Sequence, residues 1–225
     1  MKPYTITRSK RKTLAIHITK DATVEVRAPL RMPEQEIHKF LSKKEKWIDE
    51  HIDRREKQNE EKSTFNLSYG DTVLLCGQLY PIRSVTGNRV GFDGESVWMP
   101  GGLTHEEIKG AVIQVYKAVA KKMLMAKAGE FAARMGVKPA AVKVTSAKTR
   151  WGSCSGKNNI NFSWRLIMAE ADVIDYVVIH ELAHIRELNH SPRFWEHVEE
   201  ALPDYQDRRK KLRKLQESLS TQDWD

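Results

Sequence analysis

Two histidines, His180 and His184, lie four residues apart in an apolar stretch of the chain, and this spacing strongly constrains the local structure. Side chains four residues apart on an α-helix project from the same face, one turn apart, so both imidazoles can reach one metal ion. We therefore predict a helix that opens at residue 171 or 172 and continues to about residue 188. The apolar residues expected on its buried side are Val177, Val178, Ile179, Leu182 and Ile185.

Glu181 directly follows the first of these histidines. Its carboxylate can reach a water molecule on the metal without being a ligand itself. The pattern H-E-x-x-H on a helix is typical of zinc hydrolases, in which the histidines bind zinc and the glutamate is the general base.

A catalytic zinc needs a third protein ligand and keeps its fourth position open. His190 lies six residues beyond His184, so the helix must end between them, and Asn189 is a suitable terminator. Ser191-Pro192 then has the pattern of an N-cap followed by a first helical residue, which would fix the position of His190. We predict that His190 completes the metal site.

Two other residues are rival third ligands. His197 falls within the next predicted helix, and Glu187 follows His184 by only three residues, which is a tight reach to the same ion. The spacing of the three histidines resembles that of metzincins, but Glu187 stands where that pattern has glycine.

The first hundred residues show mainly the alternation of β-strands. Residues 4–28 predict a hairpin with its turn at Lys20-Asp21, and residues 65–99 predict further strands separated by turn signals. Between them, residues 33–62 have helical periodicity, although residues 53–63 are nearly all charged or amide and are compatible with a solvated linker.

The second half alternates helices with a few strands. Thr104 and Glu107 form a capping box for a helix that ends at Gly136, with Gly129 as a possible break. Residues 140–165 predict two strands around a loop over 149–158, and a final basic helix follows Pro203. The expected fold class is α+β, with a β-rich region with one helix over residues 1–100 and a metal-binding catalytic region over 101–225. The catalytic region has a small sheet and the helix that carries H-E-x-x-H.

Composition points to a reducing compartment. The chain has 225 residues but only two cysteines, Cys76 and Cys154, which is not the pattern of a disulfide-rich secreted protein. The N-terminus lacks the apolar core of a signal peptide, and no apolar run approaches the 18 or so residues that span a bilayer. We expect a cytoplasmic protein that does not bind membranes.

Positive charge is concentrated at the front of the chain. Residues 1–31 hold eight Lys or Arg and two acidic residues, so they supply most of the net charge of +8. Such a surface can bind nucleic acid, an anionic substrate or an acidic partner, or it can be a solvated face that aids solubility. The basic residues are Lys2, Arg8, Lys10, Arg11, Lys12, Lys20, Arg27 and Arg31.

Several runs of the sequence resemble the YgjP-like metallopeptidase family and, more distantly, SprT-like proteins. The N-terminal RSKRKTLAIHI and VRAP share this resemblance, which therefore extends over most of the chain, and residues 60–100 are less distinctive. The resemblance implies a zincin-like α+β catalytic unit with zinc on the three histidines. The runs that carry it are RWGSCS at 150–155, NFSWRL at 161–166, DYVVIHELAH at 175–184 and NHSPRFW at 189–195.

Residues 150–155 read as a tight turn beside the expected cleft. Arg150 can stabilise an anionic transition state or line the cleft, or it can pair with a buried carboxylate such as Asp175. We expect Trp151 to pack in the core and Cys154 to be a loop thiol outside the metal site.

These features favour a zinc hydrolase of the peptidase type acting on a peptide or protein substrate. The strand near 159–165 would hold that substrate along an open edge at 159–163, with few Lys or Arg near zinc. One alternative is a metal-dependent phosphohydrolase acting on nucleotides, although no glycine-rich phosphate loop is visible. Another is a nucleic-acid-associated module with structural zinc, although closed structural sites usually have four ligands.

Overall fold

Three strands near the N-terminus form one mixed sheet in the computed structural model, which describes residues 3–224. They are β1 (Tyr4–Ser9), β2 (Ala15–Ile18) and β3 (Val24–Pro29). β2 and β3 pair antiparallel, which confirms the predicted hairpin. β1 pairs parallel with β3, with Tyr4 opposite Val24, so that β3 lies in the middle of the sheet.

Two helices follow this sheet where the sequence predicted one. They are α1 (Glu34–Lys43) and α2 (Glu45–Ser63), and Lys44 between them leaves the helical conformation, with φ −111° and ψ 8°. Residues 53–63 continue α2 and do not form a linker. Their apolar contact is limited, and the helix is anchored by buried residues in its first half, Ile48 and Ile52.

The sheet and the two helices enclose a small core of their own. Alternate residues of β3 point inward, as the two-residue period of a strand requires, and meet the apolar face of the helices. The buried members of this core are Val24, Val26, Ala28, Ile37, Leu41, Ile48 and Ile52.

A second sheet is formed by β4 (Thr72–Leu75), β5 (Gln78–Val85), β6 (Gly91–Phe92) and β7 (Val97–Pro100), in the order β4-β5-β7-β6. Cys76 and Gly77 turn the chain between β4 and β5 with φ angles of 52° and 78°. The amide of Cys76 donates to the carbonyl of Ile167 at 2.7 Å, which ties this hairpin to the segment just before the helix that carries H-E-x-x-H.

The longest helix, α3 (His105–Met135), begins and ends as predicted. Thr104 and Glu107 form the capping box, and Gly136 closes the helix in the left-handed conformation with φ 64°. Gly129 does not interrupt it. α3 packs against β7, against a third sheet that follows it in the chain, and against the helix that carries H-E-x-x-H. It is therefore the central helix of this part of the chain.

The third sheet differs from the prediction. Its strands are β8 (Ala141–Thr145), β9 (Gly152–Cys154) and β10 (Asn159–Ser163). β9 falls inside the segment that the sequence indicated as a loop. β10 pairs parallel with β8 on one side and antiparallel with β9 on the other, so it is the central strand. The predicted open edge at 159–163 is therefore wrong, because both edges of β10 are paired.

A 3₁₀ helix over Trp164–Met168 connects this sheet to α4 (Ala171–Ala183), α5 (Pro192–Ala201) and α6 (Tyr205–Leu219). α4 stops five residues before the predicted end. Trp164 is almost fully buried, whereas Trp151, which was predicted to pack in the core, is only half-buried.

The described chain forms two compact units, and its architecture is α+β. One unit runs to Phe65 and includes Leu219–Asp223, and the other comprises Asn66–Ser218 with Trp224. The division predicted from the sequence lies between residues 100 and 101. In the structure, β4 to β7 lie in the same unit as α3, α4 and α5, and within it β4 contacts the 3₁₀ helix and β7 contacts α3. None of the helices over residues 3–224 is long and apolar enough to cross a membrane.

Candidate metal centre

Helix α4 carries the H-E-x-x-H motif at its C-terminal end. His180 and the buried Glu181 are helical, and His184 is the C-cap residue with φ −62° and ψ −17°. Beyond it the amides of Ile185 and Arg186 bond back by three residues, at 3.0 Å each, so the chain tightens into turns. This early stop lets the chain reverse within the few residues before His190.

Ser191 fixes the return of the chain. Its side chain accepts a hydrogen bond from the amide of Phe194 as the N-cap of α5, and Pro192 is the first helical residue, as predicted. His190 is the residue immediately before this cap, so the start of α5 determines where its imidazole lies.

The three histidines meet in space. The Nε2 atoms of His190 and His180 are 3.1 Å apart, and the available nitrogens of His180, His184 and His190 lie within 4.8 Å of one another. Within residues 3–224, this is the one group of three or more His, Cys, Asp or Glu side chains close enough to share a metal.

Hydrogen bonding orients one of the three rings. Nδ1 of His184 lies 3.1 Å from the carbonyl oxygen of Glu187, to which it can only donate. The neutral ring then carries its free lone pair on Nε2. Such a second contact, from the nitrogen that does not bind metal, is usual for histidine ligands.

Aromatic rings pack against the three histidines. Phe194 is fully buried, and its centroid lies 4.9 Å from that of His180, 4.5 Å from that of His184 and 4.8 Å from that of His190. Trp195 stacks on His190 at 5.8 Å. These contacts limit the freedom of the three histidine rings.

The environment keeps the buried imidazoles neutral. Burial, with smaller contributions from His184 and His190, lowers the pKa of His180 to about 3. Burial also lowers the pKa of His184, and its hydrogen bond to Glu187 opposes this effect in part. Neutral imidazole is the form that binds a metal. The three imidazole nitrogens of this group fit zinc or a similar divalent ion, with one position left for water or substrate.

Glu181 is set apart from the ligands. It is 6% exposed, and burial raises the pKa of its carboxyl to about 7, although the positive charge of Arg150 opposes that rise. Its carboxylate lies against the main chain of β9 at Gly152.

The rival ligands take other positions. Glu187 contributes its main-chain carbonyl to His184. His197 lines a separate cleft together with Arg134, Arg186 and Glu200. Neither belongs to the histidine group, nor does Cys154, whose pKa is raised by its burial and by the charge of Glu181.

Arg150 is exposed and does not pair with Asp175, whose carboxylate binds Lys127 instead. It lines a cavity of about 320 Å³ with Ser153, Asn161 and others.

The basic front is the set of Lys and Arg residues within residues 1–31. Some of these residues form contacts within the protein. Arg8 donates to the carbonyl of Met32 at 2.7 Å, and Arg27 pairs with Glu25 at 2.9 Å. Lys10 and Lys12 are exposed in the connection between β1 and β2. Lys2, also one of the basic residues of this region, lies outside the described residues.

Sequence reasoning missed the role of β9. Strand β9 is an edge strand of the third sheet and contacts α4, and a Cβ built on Gly152 would lie within 3 Å of the Glu181 side chain. The signal was available, because an isolated glycine in a segment with strand neighbours often marks a close backbone approach.

The chain is similar to a known metallopeptidase family. A family model described as the YgjP-like metallopeptidase domain matches residues 12–215. No curated protein matches the chain. A crystal structure of the metallopeptidase zymogen of Pyrococcus abyssi abylysin is similar at 21% identity and a TM-score of 0.38, covering 44% of this chain and 97% of that one. A likeness at that level bears on neither the fold nor the activity.

Because the family model spans most of its length, the chain belongs to the YgjP-like metallopeptidase family.

Proposed function

We propose that the chain is a zinc-dependent peptidase in which His180, His184 and His190 hold the metal and Glu181 is the general base. The observation that carries this proposal is the convergence of three imidazoles within 4.8 Å beside a buried carboxylate. When bound, zinc would supply a Lewis acid that polarises the scissile carbonyl and favours ionisation of the attacking water.

Glu181 has the properties that a general base needs at neutral pH. Its pKa of about 7 keeps a substantial ionised fraction, and its burial keeps bulk water from competing for the carboxylate. In the proposed reaction it accepts a proton from the attacking water as the new C–O bond forms. It then donates that proton to the departing amine nitrogen as the C–N bond breaks.

The outer edge of β9 is the proposed docking strand for the substrate. Ser163 donates its amide to Trp151 at 2.8 Å, and Ser155 donates its amide to Asn159 at 3.0 Å. In an antiparallel pair these bonds alternate, so the main-chain groups of Gly152 and Cys154 point away from β10. An extended peptide can pair with them, as in β-strand addition. Because β9 contacts α4, such a peptide would lie near Glu181.

Arg150 is proposed to act on the substrate side of this site. Its guanidinium is exposed and close enough to influence Glu181, so it is available to an oxyanion or to a carboxylate of the substrate. Arg150 would then be a transition-state or cleft residue. From the sequence alone, this role and a pair with Asp175 were both possible.

The test of zinc-dependent peptidase activity is cleavage of an unfolded protein by the purified chain, with new termini mapped by mass spectrometry. We expect cleavage that is abolished by a chelator and restored by one equivalent of Zn²⁺. Cleavage that persists in the fully chelated protein would contradict the proposal. Hydrolysis of nucleoside triphosphates with no cleavage of protein or peptides would favour the phosphohydrolase.

A further inference from the structure

The main chain of β9 and the carboxylate of Glu181 approach more closely than any side chain at position 152 would allow. A Cβ atom built on Gly152 would lie 2.6 Å from Cγ, 2.6 Å from Oε1 and 2.8 Å from Cδ of Glu181. Carbon atoms in contact are normally about 3.5–4.0 Å apart. A methyl group at position 152 would therefore occupy the place of the carboxylate.

The backbone gives no reason for glycine here. Gly152 lies in a strand and does not have the positive φ that favours glycine in the turns, as it does at Gly77 or Gly136. Glycine inside a strand is less favourable than alanine, because glycine loses more conformational freedom on folding. The space required by Glu181 is the property of this position that only glycine satisfies.

The strand and the helix that meet at this contact are both firmly held. β9 is fixed by its register with β10, in which Gly152 faces Phe162. Glu181 lies in the last turn of α4 between the fully buried residues Ile179 and Leu182. If a Cβ were added at position 152, the Glu181 side chain would therefore be the group that moves.

We propose that Gly152 is a positioning residue for Glu181, whose carboxylate it admits into one place against β9. The inference rests on the proposed role of Glu181 as general base. In the folded chain, the Cα of Gly152 borders the Glu181 side chain on one side. The surrounding protein covers its other sides, since Glu181 is only 6% exposed. A side chain at position 152 would rotate the carboxylate away from the nucleophile without removing a metal ligand.

The variant that tests this is Gly152→Ala, and the chain offers a matched control. Gly156 lies in the turn between β9 and β10, and a Cβ there would meet nothing within 4 Å. Gly156→Ala therefore makes the same chemical change in the same hairpin without touching Glu181. Both variants should bind one metal ion per chain, because neither alters the histidines.

Crystal structures of the two variants give a readout that does not depend on activity. Relief of a contact of 2.6 Å to an ordinary distance needs a movement of about 1 Å. In Gly152→Ala we expect the Glu181 carboxylate to move by that amount or more while the three imidazoles stay in place. In Gly156→Ala the carboxylate should not move. A Gly152→Ala structure with Glu181 unmoved and β9 displaced would overturn the proposal.

Kinetics then test whether Gly152 acts through Glu181. A misplacement of about 1 Å costs on the order of 10²-fold in rate, and we expect that loss in kcat with little change in KM. In the Glu181→Gln background the same Gly152→Ala change should have almost no further effect, because two changes that act through one group are not additive. An equal, independent loss in both backgrounds would show that Gly152 acts elsewhere. If the parent cleaves no peptide, the proposed function fails, and the crystal structures still decide the relationship between Gly152 and Glu181.

Discussion

The Nε2 atoms of His180 and His190 lie 3.1 Å apart, although ten residues separate the two histidines in the sequence. Two Zn–N bonds of about 2.0–2.1 Å at a tetrahedral angle span roughly 3.3–3.4 Å between the nitrogens. The two rings thus stand close to the separation that a shared zinc requires. The early end of α4 and the cap of α5 produce this approach.

The three histidines should bind one zinc per chain, and loss of either late ligand should remove it. We expect His184→Ala and His190→Ala to retain well under a tenth of an equivalent after dialysis, because two imidazoles hold zinc far more weakly than three. Metal analysis by mass spectrometry measures this.

His197→Ala is the control for that experiment, since His197 lies outside the histidine group. It should keep its full equivalent of zinc. A His190→Ala variant with unchanged zinc content would exclude His190 as the third ligand.

The N-cap at Ser191 should support the metal site as well as the helix. Ser191→Ala removes the acceptor for the Phe194 amide, which typically costs about 1 kcal/mol and lowers the Tm by about 2–4 °C in a chain of this size. Because the cap sets the position of His190, we also expect about tenfold weaker zinc binding, as for other residues that orient ligands. Competition with a chromogenic chelator measures the zinc Kd.

Thr104→Ala is the matched control for the Ser191 variant, since Thr104 caps α3 by the same type of bond. It should lower the Tm comparably and leave the zinc Kd unchanged. Equal zinc affinity in the two variants would disconnect the cap from the metal site.

Arg150 should contribute to the rate and not to folding. Arg150→Gln keeps a polar side chain but loses the charge near the reacting groups, and removal of one such stabilising group costs on the order of 10²-fold in kcat. The exposed Lys157, on the turn between β9 and β10, provides the control variant Lys157→Gln. Unchanged kcat for Arg150→Gln would return Arg150 to a surface role.

The connection between β1 and β2 carries the prediction of nucleic-acid binding. If Lys10, Arg11 and Lys12 contact phosphates, neutralising all three should reduce the slope of log K against log salt by about one unit per lost contact. Filter binding or fluorescence anisotropy at several salt concentrations measures the slope.

Neutralising Lys39, Lys43 and Lys46, exposed residues on α1 and α2, removes the same charge from a different surface. It should leave the slope nearly unchanged. Absence of any binding at low salt would identify the basic front as a solvated surface.

The sequence predicted helix ends well where a particular residue type determines the backbone conformation. The capping box at Thr104, the left-handed Gly136 and the Ser191-Pro192 start of α5 all require a specific side chain at a specific place. They were predictable for that reason. The meeting of His190 with the pair on α4 followed from the same signals.

Features that depend on distant partners were not predictable. β9 is three residues long and is a strand only because β10 pairs with it. The parallel pairing of β1 with β3 likewise has no local signature. The edge assigned to β10 was wrong because one sequence does not reveal that β8 and β9 cover both of its sides.

The helix boundaries failed for a related reason. Charged residues at the end of α2 have high helix propensity despite little apolar contact, so they extend the helix beyond its buried half. At the end of α4 the apolar pattern continues past His184, but the turn that brings His190 back takes precedence.

The most direct test of the account is the rate of peptide cleavage by Glu181→Gln, measured together with its zinc content. Glutamine has nearly the same shape and cannot accept the proton of the attacking water, so the metal and the fold should be retained. We predict one zinc per chain and a fall in kcat of about 10²–10⁴-fold. The Tm should stay within about 2–3 °C of that of the parent, a shift that corresponds to about 1 kcal/mol of stability. A Glu181→Gln variant that keeps its zinc and cleaves peptides at the parental rate would contradict the role assigned to Glu181.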